Sequence, residues 1–314
     1  MTCKNCCLDA RRFGKDRKGF QRFRCPNCSR TFTAPHNGHV HGMYVSKERA
    51  ESVLRLFVEG TSVRSIERIT GMHRDTILRL LTVAGEGCEQ LLERRIRALP
   101  VNDVECDEMW GFVGCKEKHK TEEHPETFGD AYCFVAIERK TRLVLTWHLG
   151  RRTARDTTAF IEKLDVATYG RFQITTDGFQ AYPDAISLNL GTRVDFAQLI
   201  KIYASPRDGE QRYSPPEVVD AIPVPRIGRP APQRISTSHV ERQNLSMRMC
   251  IRRLTRLTNA FSKKWESLKA ALALYFAYYN FCRVHGTLRV TPAMEQGLVD
   301  HVWSIGELLA ATQS

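Results

Sequence analysis

Two cysteine pairs near the start of this 314-residue chain constrain its folding more than any other feature. Cys3-x2-Cys6 and Cys25-x2-Cys28 are separated by 18 residues, a spacing that lets two short turns present four thiolates tetrahedrally to one Zn²⁺ ion. A segment this short buries too little apolar surface to fold alone, so the metal would supply the folding energy. The pattern predicts a zinc ribbon over residues 1–38 with structural Zn²⁺ on Cys3, Cys6, Cys25 and Cys28. Cys7 offers a rival spacing, Cys3-x3-Cys7; Cys6 is preferred because it repeats the spacing of the second pair. Between the pairs, Phe20, Arg22, Phe23 and Arg24 form an aromatic and basic set, with Arg22 and Arg24 expected to touch DNA.

The charge balance agrees with such a partner. Lys and Arg number 47 against 35 Asp and Glu, a formal net charge of +12. The excess lies in the first hundred residues and after residue 200, while the hundred residues between are net acidic. Carboxylates gather cations and basic side chains gather phosphates, so a metal-binding centre between phosphate-gripping flanks fits this layout. No apolar run is long enough to span a bilayer, and the polar start Met1–Arg12 lacks the apolar stretch of a secretory signal. A cytoplasmic protein without a membrane partner is expected, with Cys88, Cys106, Cys115, Cys133, Cys250 and Cys282 serving as small core residues.

Residues 44–98 read as an all-α domain. Ser46 is a good N-cap, and Val53, Leu54, Phe57 and Val58 recur at helical spacing before Gly60. A second helix, Ser62 to Thr70, stops at Gly71, and a third begins near His73 with Ile77, Leu80 and Leu81 on one side. Short helix, glycine turn and second helix make a helix-turn-helix, whose later helix enters a major groove. On that reading His73, Arg74 and Arg79 face DNA, while Ile66, Met72, Ile77 and Leu80 pack inward.

From residue 99 the period shortens. Val104–Val113, Ala131–Glu138 and Arg142–Leu149 read as strands, Thr153–Ala167 as a helix and Phe172–Thr176 as a further strand, the opening of a mixed α/β sheet. Asp107 lies in the first strand and Asp177 directly follows the fourth, where such sheets present groups to ligands. Glu108, next to Asp107, should point to the opposite face. Glu241 opens a helix on which Asn244, Arg248 and Arg252 share its face, with Val240, Met247, Ile251 and Leu254 forming the packing stripe. Ser238-x-x-Glu241 also fits a capping box. Three carboxylates from two strands and a helix suit two Mg²⁺ ions that promote in-line phosphoryl displacement, and Arg248 and Arg252 suit phosphate. In the charged loop Lys116–Thr127 and just before it, Cys115, His119 and His124 leave a second metal site conceivable.

The ordered set Cys3-Lys-Asn-Cys6, Cys25-Pro-Asn-Cys28, Val104-Glu-Cys-Asp107-Glu108-Met-Trp110, Thr176-Asp177-Gly178 with Tyr182, and Val240-Glu241-Arg242-Gln-Asn244-Leu-Ser-Met-Arg248 resembles the transposases of the insertion sequence one family. Tyr278-Tyr279-Asn280, Arg283, His285-Gly-Thr-Leu288 and Thr291-Pro292-Ala293 are similar to the end of many transposase cores. The resemblance implies a ribonuclease-H-like mixed-sheet catalytic core over 99–314, preceded by the zinc ribbon and the helix-turn-helix domain. It implies an Asp107, Asp177 and Glu241 triad working with Mg²⁺ or Mn²⁺. The implied activity is that of a DDE-type DNA transposase that binds terminal inverted repeats and cleaves and transfers DNA strands. Double-stranded DNA, as element ends and target, and a homo-oligomer are the implied partners, in a bacterial or archaeal cytoplasm at the nucleoid. Residues 205–235 exceed what a compact core needs and read as an insertion. The competing class is a zinc-ribbon and helix-turn-helix DNA-binding regulator without catalysis.

Overall fold

The computed structural model describes residues 1–3, 5–17, 19–33, 43–204 and 218–313. The chain divides into two compact units, Met1–Ala50 and Glu51–Ser314. In the first, β1 (Arg11–Lys15), β2 (Gln21–Arg24) and β3 (Thr31–Thr33) form a three-stranded antiparallel sheet. Phe23 stacks on Phe32 with centroids 6.0 Å apart, but the sulfurs are the true interior, since Cys3 and Cys25 are buried. Residues 34–42, between β3 and the first helix, lie outside the described residues.

The second unit begins within α1 (Lys47–Val58) and continues through α2 (Val63–Thr70) and α3 (Arg74–Arg95). Ser62 caps α2 by accepting from the Ser65 amide, and Gly71 closes it at φ 64°, a left-handed conformation that glycine enters without a Cβ penalty. After β4 (Leu99–Pro100) come β5 (Asp103–Val113), β6 (Gly129–Glu138), β7 (Val144–Gly150), α4 (Ala154–Ala167), β8 (Thr168–Tyr169), β9 (Phe172–Thr176), α5 (Tyr182–Asn189) and β10 (Val194–Tyr203). The chain resumes with β11 (Val218–Ile227), α6 (Ser238–Cys250), α7 (Trp265–Phe281), α8 (Pro292–Glu295) and α9 (Ile305–Ala311).

Six strands form one mixed sheet in the order β11-β10-β9-β5-β6-β7. β5, β6 and β7 are an antiparallel meander, β9 and β10 run parallel to β5, and β11 returns antiparallel along β10. β9 is buried along its whole length, as a strand covered on both faces must be. Residues paired across neighbouring antiparallel strands share a face, which identifies the two coverings. Trp147, opposite Val135, meets Phe276 of α7 at 5.5 Å, whereas Phe134 meets Phe160 of α4 at 5.5 Å. Helices α6 and α7 therefore cover one face, and α4 and α5 the other. Asn280, fully buried on α7, accepts from the Val144 amide at 3.0 Å and donates to its carbonyl at 2.9 Å, closing the outer edge of β7.

Two expectations change. The helices expected to form a separate 44–98 domain share a unit with the sheet, because α3 continues for 22 residues and packs along α7. A Cβ at Gly85 would stand 2.5 Å from the Ala270 Cα, so the two backbones touch there. The expected 205–235 insertion is partly sheet: Val218–Ile227 is the sixth strand, and residues 205–217 lie outside the described residues. Among the described residues no helix is long and apolar enough to cross a membrane.

Candidate active site and metal centres

The sulfurs of Cys3, Cys6, Cys25 and Cys28 lie within 4.8 Å of one another, with Cys3 and Cys28 at 3.7 Å, and could hold a metal ion. The two knuckles are copies. Cys7 N bonds Cys3 O at 2.8 Å and Ser29 N bonds Cys25 O at 3.0 Å, and Cys7 and Ser29 share a left-handed φ of 54° and 56°. Cys7 is thus the counterpart of Ser29, the residue that turns the chain away, and stays outside the sulfur cluster. Backbone amides of Asn5 and Cys6 pull the Cys3 thiol down to about 7, toward the thiolate that a metal needs.

The carboxylate cluster follows from strand register. β5 and β9 are parallel, and their last paired position is Cys106 opposite Thr176. The next residue on each strand is a carboxylate, Asp107 and Asp177. Glu108 does point to the other face, toward α5, and its side chain is only 2% exposed. Where β9 has ended, however, the margin of β5 is open, and carboxylate oxygens of Asp107, Glu108 and Asp177 come within 4.8 Å of one another. Asp177 Oδ1 accepts from the Phe179 amide at 3.0 Å, and the buried Gln198 of β10 donates to the carbonyls of Asp177 and Phe179 at 2.9 and 3.1 Å. The turn that presents Asp177 is therefore pinned from the neighbouring strand.

Among the described residues Arg152 is the cation in contact with this cluster, while the Lys201 charge acts on Asp107 and Asp177 from farther off. Arg152 Nη2 lies 3.3 Å from Glu108 Oε2 and 3.7 Å from Asp177 Oδ2, with its guanidinium 4.3 Å from the Phe179 ring centre. A single arginine does not compensate three crowded carboxylates. Burial first, then the charge of Asp177, pushes Asp107 up to about 7 and Glu108 up to about 8, and burial also raises Asp177. Among the described residues Glu108 Oε1 is buried without a well-formed hydrogen bond, and the nearby Tyr182 hydroxyl only partly offsets its upward shift. A set of hard oxygen donors that resists ionising together suits a divalent cation such as Mg²⁺ or Mn²⁺.

Helix α6 brings the third expected carboxylate. Glu105, two residues before Asp107 and on the same face, is buried and accepts from the amides of His239 at 2.8 Å and Val240 at 3.2 Å. It also meets His239 Nδ1 at 2.7 Å, so the start of α6 is capped from β5 rather than by its own N-cap, Thr237. The capping box anticipated at Ser238 does not form. Glu241 instead takes the Thr237 hydroxyl and the Lys201 ammonium of β10. One turn on, Asn244 Nδ2 donates to Asp107 Oδ2 at 2.8 Å. Glu241 lies outside the tight three-carboxylate group, yet its charge helps to raise Asp107 and Asp177. Asp107, Glu108, Glu241, Asn244, Arg248 and Arg252 line one open groove of about 720 Å³.

The basic end of the helix departs from expectation. α6 stops at Cys250, so the polar face does not run on to Arg252, which begins a short 3₁₀ turn and is exposed at the groove. Arg248 donates to the carbonyls of Trp110 at 3.1 Å and Leu254 at 3.2 Å, and burial lowers it to about 10. It braces β5 against the end of α6. Of the other expected DNA contacts, Arg74 and Arg79 are exposed on α3, and His73 is its N-cap, accepting from the Asp75 amide at 3.3 Å. Arg22 and Arg24 sit over the Phe13 ring at 5.6 and 5.3 Å. Among the described residues Cys115, His119 and His124 do not form a metal cluster. Arg152, Lys201 and the participation of Glu108 were not foreseen; only the Arg151-Arg152 doublet ahead of α4 signalled a basic group.

No family model and no curated protein matches the chain. Among solved structures it is similar to the piggyBac transposase synaptic complex with hairpin DNA, at TM-score 0.39 and 10% identity over 89% of this chain and 73% of that one. It is also similar to the Mos1 strand transfer complex, at TM-score 0.22 and 15% identity over 51% of this chain and 60% of that one. The mariner Mos1 paired end complex with Mg gives TM-score 0.18 and 14% identity, with 50% and 60% covered. These likenesses are loose, and the functional reading rests on the side chains.

Proposed function

We propose that the chain is a DNA transposase of the DDE type, resembling the insertion sequence one family. Its core would be ribonuclease-H-like: a three-strand meander followed by two parallel strands, with carboxylates on the first and fourth. The observation that carries the reading is the approach of Asp107, within β5, to Asp177, just past the end of the adjacent parallel β9, with Glu241 of α6 lining the same groove as Asp107. Asp107, Asp177 and Glu241 would hold the catalytic ions, with Glu108 beside them. When bound, Mg²⁺ or Mn²⁺ activates an attacking hydroxyl and stabilises the entering and leaving oxygens of a phosphodiester in line.

The chain's own residues divide the remaining work. Asn244 and Glu105 hold α6 on β5, Gln198 fixes the Asp177 turn, Arg152 offsets part of the buried negative charge, and Lys201 with Thr237 orients Glu241. Structural Zn²⁺ on Cys3, Cys6, Cys25 and Cys28 would make the first unit a zinc ribbon. That ribbon, through Arg22 and Arg24, and the α2–α3 helix-turn-helix, through His73, Arg74 and Arg79, would grip the terminal inverted repeats, with Arg252 at the groove. The test is strand cleavage and joining of the element's own end DNA in Mg²⁺. Asp177→Asn should abolish both while DNA binding persists. A regulator without catalysis would show no metal-dependent products in either protein.

A further inference from the structure

Helix α6 has two polar flanks, and the carboxylate groove uses only one. Residues 241, 244, 245 and 248 line that groove, whereas 239, 242, 243 and 246 line a second cavity of about 470 Å³ on the opposite flank. Arg142 from the β6–β7 turn and Arg283 and His285 from the segment after α7 complete its walls. No carboxylate lines it. Among the described residues, Arg142, Arg242 and Arg283 have no carboxylate within ion-pairing distance.

The nearest acids are already engaged. Glu105 is taken by the α6 amides and His239, and Glu138 by the amide and hydroxyl of Thr141 at 2.5 and 3.0 Å. Burial, then Arg142, Arg283 and His239, hold the His285 imidazole below its usual value, which marks how closely these cations converge. Among the described residues His285 Nδ1 is also buried without a partner. Arg142 Nη1 donates to the Arg139 carbonyl and Arg283 Nη1 to Cys250 Sγ at 3.4 Å, which positions both guanidiniums. Three guanidiniums lining a cavity whose walls carry no carboxylate form a host for an external oxyanion, and guanidinium forks match phosphate oxygens in pairs.

We propose that this cavity is a phosphate-binding site, filled by a backbone phosphate of a DNA strand that crosses α6 outside the carboxylate groove. The DNA source of that phosphate rests on the transposase reading; the phosphate site itself does not. It gives a binding role to Arg283 and His285, which the catalytic cluster leaves unused.

The test uses the full chain carrying Asp177→Asn, so that bound DNA stays uncut, with and without Arg242→Gln and Arg283→Gln. One probe is inorganic phosphate, read by thermal shift; the other is a short DNA duplex, read by affinity against salt. The expected result is that phosphate raises the melting temperature of the parent but not of the double variant. The slope of log affinity against log salt should also shrink by about 1, the loss of roughly one phosphate contact. Arg242→Lys with Arg283→Lys should restore part of both, which separates charge from folding. Loss of the phosphate effect with an unchanged DNA slope would keep the phosphate site and reject DNA as its occupant. Parent-like responses to both probes would overturn the proposal. If the unsubstituted chain neither cuts nor joins DNA, the transposase reading fails while the phosphate result stands.

Discussion

Asn244 Nδ2 donates to Asp107 Oδ2 at 2.8 Å, a bond that ties the helix bearing Glu241 to the strand bearing Asp107. Replacing Asn244 with Ala removes a hydrogen bond to an ionisable partner, at a cost of about 1–3 kcal/mol. Cleavage should fall more than stability explains, because Glu241 loses its fixed distance from Asp107. Denaturant melts alongside single-turnover cleavage separate the two; equal activity in wild type and Asn244→Ala would reject the coupling.

The carboxylate cluster makes stability depend on pH. Asp107 and Glu108 are raised to about 7 and about 8 in the folded chain, against ordinary values of 3.8 and 4.5. Between these limits the folded state holds protons that the unfolded state has released. Their contribution to stability is therefore full below about pH 4 and falls progressively as pH rises, until it is lost once pH passes about 7 to 8. In buffer free of Mg²⁺ and Mn²⁺ but with the cysteine metal retained, the melting temperature should drop across that window. Either ion should restore it, and Asp107→Asn should flatten the profile. A melting temperature that climbs from pH 6 to pH 8 without added ions would contradict this assignment.

Glu105 is the buried anchor of α6, spending both oxygens on the helix start. Glu105→Ala leaves two helix amides and His239 without their acceptor, for an expected loss of about 3 kcal/mol. The amides of α6 near 239 and 240 should lose hydrogen-exchange protection before those of β9. Unchanged protection at these amides would show that the helix start is held by other groups.

The cysteine unit should respond to metal on its own. Chelation or Cys28→Ser should unfold Met1–Ala50 while the cooperative melt of the larger unit remains. Cys7→Ser should leave one zinc per chain, because Cys7 turns the knuckle and does not face the sulfur cluster. Zinc content by elemental analysis decides between Cys6 and Cys7; loss of zinc in Cys7→Ser would reverse the assignment.

Much of this organisation is legible in sequence because it is local or periodic. The cysteine spacing, the helix start at Ser62, the Gly71 stop, and the places of Asp107 within a strand and Asp177 just after one are set by neighbours within a few residues. What stays hidden depends on tertiary placement. Alternation correctly sends Glu108 to the far face, yet it cannot reveal that β9 ends one residue short and lets that carboxylate come round the margin. Lys201 and Arg152 meet their acids only after β10 and α4 are docked. Asn244 and Glu241 share a helical face, but helical periodicity extended that face to Arg252, beyond the break at Ile251. Val218–Ile227 falls inside the stretch that reads as an insertion by its length, and only its pairing with β10 reveals a strand.

The prolines of β11 have a consequence for assembly. Pro223 and Pro225 stand opposite Leu199 and Ala197 at positions where β11 turns its N–H side away from β10. A proline has no hydrogen to offer there, so the sheet's outermost rim lacks two successive donors that an incoming strand would require. Pairing of a second copy along this stretch of β11 is thereby disfavoured, because the two missing donors fall at successive outward positions.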